Sequence, residues 1–128
     1  MPGLHHIEVW VADLEEALAE WGRLLPLLGF EPAGEWPSGR SWAAGGASVT
    51  ITVPPALSDP VHDRRRPGMN HLAFRGGPAE QVDAIMARAQ EFGWRPLYHE
   101  RYPHAGGPLH YAGWLENSAG YKCEIVAD

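Results

Sequence analysis

Two stretches of this 128-residue chain carry the same features in the same order at a nearly constant offset. His6 and His71 are 65 residues apart, and Gly29 and Gly93 are 64 apart. Each histidine opens a strand-like segment, each segment leads into a helical pattern, and each glycine closes that helix. After each glycine comes an aromatic residue, a charged one and a proline: Phe30-Glu31-Pro32 and Trp94-Arg95-Pro96. A single short match arises easily by chance. Strand, helix, glycine and post-glycine string matching in sequence point to a duplicated supersecondary unit.

The local patterns fill in that unit. In Leu4 to Val11, Ile7, Val9 and Val11 alternate with His6, Glu8 and Trp10, as in a strand with two unlike faces. Asp13 caps a helix, with Glu16 at the capping-box position. Leu14, Ala17, Leu18, Trp21, Leu24 and Leu25 follow helical spacing up to Pro26, which should end or kink it. Ser41–Ala44 and Ala47–Val53 read as strands around Gly45-Gly46, and Phe30-Glu31-Pro32 leads outward. The second copy begins with a strand over His71–Arg75. A helix follows, with Pro78 at its first position and Val82, Ile85, Met86 and Ala89 as its apolar stripe. Strands are expected near Pro96–His99, Leu109–Leu115 and Tyr121–Val126. The first module is therefore expected over 1–53, a linker rich in Pro, Asp and Arg over 54–70, and the second module over 71–128.

Composition narrows the function classes. The net charge of −6 repels phosphate backbones, which argues against nucleic-acid binding. Arg64-Arg65-Arg66 reads first as a solvated surface, with an anionic substrate near that loop as the alternative. No segment approaches the ~20 apolar residues of a membrane span. One cysteine, Cys123, permits no internal disulfide and fits a reducing, cytoplasmic setting. Cys123 alternates with Glu124 and is expected in the core. Six tryptophans exceed what a core this small requires. An aromatic-lined pocket or a subunit interface would explain the excess, and ordinary core packing part of it.

The strand faces concentrate the chemistry. His6, Glu8, Trp10, Thr50, Thr52, His71, Ala73, Arg75 and Glu124 fall on the faces turned away from the helices. Histidines and a carboxylate there need pairing or a metal. Two imidazoles and one carboxylate suit divalent Fe, Mn, Ni or Zn; three separate hydrogen-bonded side chains are the plainer alternative.

The strings Leu4-His5-His6-Ile7-Glu8-Val9-Trp10-Val11-Ala12-Asp13-Leu14, Leu28-Gly29-Phe30-Glu31, Asn70-His71-Leu72-Ala73-Phe74 and Leu115 to Val126 resemble the vicinal oxygen chelate superfamily. That group includes glyoxalase I, fosfomycin-resistance proteins, extradiol dioxygenases and bleomycin-binding proteins. The resemblance implies an α+β fold of two βαβββ modules, with curved mixed sheets forming a shared cleft, and dimerisation of the chain. It implies a divalent metal on His6, seven residues before Asp13, on His71, and on Glu124, four residues after Gly120. Glyoxalase I adds a fourth ligand in the last strand of the first module, where this chain has Ser48, Thr50 and Thr52. The pattern is thus more similar to fosfomycin-resistance proteins or dioxygenases. Where dioxygenases place a catalytic Tyr, this chain has Trp114.

The expected function is a metalloenzyme activating a vicinal-oxygen small-molecule substrate. The alternative is a metal-free protein that sequesters a drug or metabolite, as in bleomycin resistance. His104, His110 and Glu8 are the candidate acid/base residues, the two histidines on a loop over 99–111 that reads either as a mobile cover for substrate or as a surface loop with solvated histidines. Glu8 has two further readings, as a partner for a metal-bound histidine or for Arg75. Trp10, Thr50, Thr52, Arg75, Tyr102 and Trp114 are the candidate substrate contacts.

Overall fold

A computed structural model describes residues 2–128 and divides into two compact units, Met1–Val61 and His62–Asp128. The first unit runs β1 (His6–Trp10), α1 (Leu14–Leu27), β2 (Glu31–Trp36), β3 (Gly39–Ala44) and β4 (Ala47–Thr52). Its sheet has the order β1-β4-β3-β2, with β1 parallel to β4 and the other pairs antiparallel. The second unit runs β5 (Leu72–Gly77), α2 (Ala79–Ala89), β6 (Arg95–Leu97), β7 (Ala112–Glu116) and β8 (Lys122–Ala127). Its order is β5-β8-β7-β6, again with one parallel pair, β5 with β8. Each unit is a βαβββ module, as the repeat requires. No helix is long and apolar enough to cross a membrane among the described residues.

Helix α1 starts where Asp13 Oδ1 accepts the Glu16 N–H at 3.0 Å, satisfying a first-turn donor that has no partner within the helix. Ala17, Trp21, Leu24 and Leu25 are its buried stripe. Pro26 does not stop it; the helix runs one residue further and closes in a Schellman motif. Phe30 N–H bonds to Leu25 O and Gly29 N–H to Pro26 O, each at 3.1 Å. Gly29 supplies the required left-handed turn at φ 84°. Trp42 on β3 is buried and packs its ring on α1 at Gly22.

In the second unit Val82, Ile85, Met86 and Ala89 of α2 are buried, as their spacing predicts. Pro78 takes the N-cap position rather than the first helical one. Cys123 and Ile125 point to the helix side and are fully buried. The strand β2 is absent from the sequence reading, which takes the chain outward at Phe30. It is an edge strand with Pro32, Gly34 and a register shift between them, so it carries no alternating apolar signal.

Half of the expected linker belongs to the second unit. His62 stacks flat on Tyr121, with ring centroids 4.0 Å apart and planes within 3°. Arg64 Nε donates to Glu116 Oε2 at 2.8 Å. Arg65 and Arg66 are exposed beside Asp63. Of the three arginines, therefore, only Arg64 has a structural task.

Candidate active site

The second sheet places its polar residues by register. Trp114 of β7 lies opposite Glu124 of β8, and Ala73 of β5 lies opposite Glu124 on its other side. Alternation along β8 puts Lys122 and Glu124 on the face away from Cys123 and Ile125. Glu124 is 6% exposed. A carboxylate so buried is costly without partners. Both of its oxygens have one: His71 Nε2 stands 3.2 Å from Oε1, and His110 Nε2 stands 2.5 Å from Oε2.

His71 is held from behind by Asn70. The Asn70 amide nitrogen donates to the Arg64 carbonyl oxygen at 3.0 Å. A carbonyl only accepts, so the orientation of the amide is fixed and its oxygen is the atom 2.7 Å from His71 Nδ1. That oxygen also only accepts, so Nδ1 carries the proton. A neutral His71 then turns the Nε2 lone pair toward the Glu124 carboxylate. Two acceptors 3.2 Å apart need positive charge between or upon them, a proton or a metal cation.

The remaining expected residues fall into three groups. His6, Glu8 and Trp10 lie in the first unit on one face of β1, opposite Ser48, Thr50 and Thr52 of β4. His6 is exposed, with its Nδ1 2.8 Å from His5 Nδ1. Glu8 accepts the Trp10 indole N–H at 2.6 Å. Thr52 uses its hydroxyl on the Ser38 carbonyl at 3.0 Å. Arg75 is exposed and pairs with Asp128 at 2.8 Å. Around the 99–111 loop, Trp114 is buried, with its ring centroid 6.0 Å from that of His110 and 5.8 Å from that of Tyr98. Among the described residues no group of three or more His, Cys, Asp or Glu side chains is arranged to hold a metal ion.

The 99–111 loop is tethered to α2 and to the start of β7. The Tyr102 and Tyr111 hydroxyls both donate to Asp83 Oδ1 on α2, the second at 2.7 Å. His104 Nδ1 donates to the His110 carbonyl at 3.3 Å, and Ala112 N–H to Pro103 O at 2.9 Å. Hydrogen bonds from Tyr102 first, then Tyr111, hold the Asp83 carboxyl below the usual carboxylate range. Burial, and then the bond to Asp83, push the Tyr102 phenol well up. His104 thus braces the loop, and His110 is the loop histidine that reaches Glu124.

Four residues with site contacts have no role in the sequence reading. Asn70 stands in a quoted string, and its position directly before His71 is the one available signal. Asp83 sits on the exposed side of an amphipathic helix and looks like any surface carboxylate. Tyr98 and Lys122 have no local pattern. Lys122 Nζ donates to the Tyr98 hydroxyl at 3.0 Å. That bond, outweighing some burial, lowers the Tyr98 phenol below its ordinary value.

Two βαβββ units in one chain, each with a four-stranded mixed sheet, define a glyoxalase-like class of protein. The Glyoxalase/Bleomycin resistance protein/Dioxygenase superfamily profile matches residues 5–112, and the chain belongs to that superfamily. An uncharacterized Bacillus subtilis (strain 168) protein, YqjT, is 38% identical over 125 residues, 97% of this chain and 98% of its own length. The crystal structure of a candidate glyoxalase from Bacillus halodurans is 40% identical, with a TM-score of 0.90 over 98% of this chain and 95% of that one. The lactoylglutathione lyase of Agrobacterium tumefaciens shares the fold at 16% identity, with a TM-score of 0.67 over 99% of this chain and 94% of that one.

Proposed function

We propose that this chain is a small-molecule enzyme of the superfamily, with its reacting centre at His71, Glu124 and His110. A divalent Fe, Mn, Ni or Zn ion on His71 Nε2 and Glu124 is part of that reading. The observation that carries it is the Asn70-fixed tautomer, which aims an imidazole lone pair at a buried carboxylate. A neutral imidazole nitrogen and a carboxylate are the donor types such ions take. When bound, the ion polarises substrate oxygens and stabilises the oxyanion that develops on them.

The chain's own groups supply the rest. Asn70 orients His71. His110 Nε2, in short contact with Glu124 Oε2, is the atom placed to hold or pass a proton. Trp114 walls the centre beside His110. The family resemblance alone names His6 as a further ligand, and the metal content of His6→Ala tests that expectation.

Elemental analysis after reconstitution is the direct test. Wild-type protein is expected to hold close to one equivalent of transition metal, with His71→Ala and Glu124→Gln losing most of it. Wild-type content below about a tenth of an equivalent would sink the metalloenzyme reading.

The second reading is a metal-free ligand-binding protein. It is favoured by the complete pairing of Glu124, both oxygens facing imidazole nitrogens. A protonated His71 then supplies the positive charge. Here metal content is negligible, while ligands still perturb the Trp114 fluorescence.

A further inference from the structure

Lys122 lies two residues before Glu124 on the same face of β8, roughly 6–7 Å along the strand. It is half-buried, and its ammonium makes no ion pair among the described residues. Its cross-strand neighbour is Glu116, the carboxylate that would ordinarily neutralise it. Both oxygens of Glu116 are already engaged, one by Arg64 and the other by Arg95. The one side-chain hydrogen bond of Lys122 among the described residues goes to the Tyr98 hydroxyl, and its Nζ sits 5.0 Å from the centre of that ring. Arg101 lies 5.4 Å from the same ring. A partly desolvated lysine with two free N–H donors, beside a phenol whose own proton is free to be donated, is a cationic corner without its anion.

Two further observations tie this corner to the reacting centre. Tyr98 is the one non-glycine residue with a left-handed backbone among the described residues, at φ 56°. That conformation is unfavourable for a bulky side chain and persists only where surrounding contacts demand it. The contacts here are the Lys122 bond and an edge-on packing against Trp114. Trp114 in turn packs its ring against His110. One indole therefore stands between the cationic corner and the Glu124 centre.

We infer that Lys122 and Tyr98 form an anion-anchoring subsite, and that the substrate is a small organic acid. Its carboxylate rests on Lys122 Nζ and the Tyr98 hydroxyl, with the remainder of the molecule extending along Trp114 toward Glu124. One point charge and one hydroxyl suit a carboxylate. A phosphate dianion is better served by a bidentate guanidinium, whereas Arg64 and Arg95 are both committed to Glu116 and Arg101, beside the Tyr98 ring, faces Glu100. The inference rests on the reading of Glu124, His71 and His110 as the reacting centre for its account of where the rest of the substrate goes. The anchoring itself does not depend on that centre.

Benzoate, with benzamide as its neutral counterpart, probes the subsite in the intact chain at low salt. Backbone and indole NMR resonances report the contact. Benzoate is expected to shift the Lys122 amide and Trp114 indole signals saturably, and benzamide is not. Lys122→Met should weaken benzoate about tenfold or more and Tyr98→Phe by roughly threefold to tenfold, with unchanged circular dichroism. His71→Ala should leave benzoate binding intact while removing metal, so loss of the metal centre and loss of the anchor are read separately. Equal shifts from benzamide, undiminished binding in Lys122→Met, or a response to inorganic phosphate alone would each overturn the proposal.

Discussion

Replacing Asn70 tests the logic of the centre without touching either group that faces across it. Asn70→Ala removes the acceptor 2.7 Å from His71 Nδ1 and the donor to the Arg64 carbonyl. A net neutral hydrogen bond is worth about 1 kcal/mol, which biases one imidazole tautomer over the other by about fivefold. Loss of ring orientation adds to this. Outer partners of metal-bound histidines typically contribute ~10–100-fold in affinity. Here the His71 side chain is 31% exposed and Asn70 is exposed. Water therefore replaces part of the lost bond, and the lower end applies: about tenfold weaker Zn²⁺ binding, or ~1.4 kcal/mol.

Asn70→Asp is the informative companion. It keeps an acceptor for the Nδ1 proton but turns a carboxylate oxygen toward the Arg64 carbonyl. Its affinity should fall between those of the wild type and Asn70→Ala. Chelator competition measures Zn²⁺ affinity, and two-bond proton–nitrogen NMR reads the His71 tautomer directly. The expected result is an Nδ1–H signature in the metal-free wild type that becomes mixed in Asn70→Ala. An Nε2–H signature in the wild type, or wild-type affinity in Asn70→Ala, would refute the reasoning.

Two perturbations test the scaffold around the centre. Asp83→Ala should accelerate amide exchange at His104, Gly107 and Ala112, because both tyrosine tethers of the loop end on that carboxylate; exchange at the wild-type rate would show that the tethers hold nothing. Because the folded Asp83 carboxyl titrates below its unfolded value of ~3.9, the clasp is fully present above that pH and is lost as pH falls through it toward the lower folded value. Gly113→Ala sets a Cβ 2.3 Å from Met86 Sδ. It should destabilise by ~1–3 kcal/mol, seen as a lower Tm, and Met86→Ala in the same chain should recover part of that; additive losses would mean the two do not meet.

What the sequence made legible was whatever repeats or alternates locally. Asp13, the Ala17–Trp21–Leu24–Leu25 stripe and the Val9–Val11 face all follow from periodicity and capping, and the structure places them accordingly. The duplicated order carried the topology, because two copies of one module have one sheet order to share. The edge strand β2 was hidden because edge position, proline and a bulge remove the pattern that marks a strand. The tethers of the 99–111 loop were hidden for a different reason. Gly106-Gly107 is a local signal for flexibility, whereas the bonds that tether the loop join Asp83 to Tyr102 and Tyr111 across 19 and 28 residues. His110 is visible as a residue type, but its pairing with Glu124 depends on how the loop returns into β7. Tyr98 and Lys122 are illegible for the same reason, being neighbours across 24 residues.

The register of the two sheets explains why the duplicated units differ chemically. The offset of 65 that aligns His6 with His71 also aligns Glu8 with Ala73. In the first sheet the Glu8 rung pairs with Thr50; in the second the Ala73 rung pairs with Glu124. Each unit therefore has one carboxylate on the corresponding rung, but on opposite strands. On β1 the carboxylate is exposed and is met by the indole of Trp10, two residues along its own strand. Water and one donor satisfy it, and nothing there requires a cation. On β8, an interior strand between β5 and β7, the carboxylate is buried and flanked by histidines from two separate segments. Burial raises the cost of its charge, and the groups that offset that cost can also hold a metal ion or move a proton. The two rungs therefore differ by the strand that carries the carboxylate, the exposed β1 in the first unit and the interior β8 in the second.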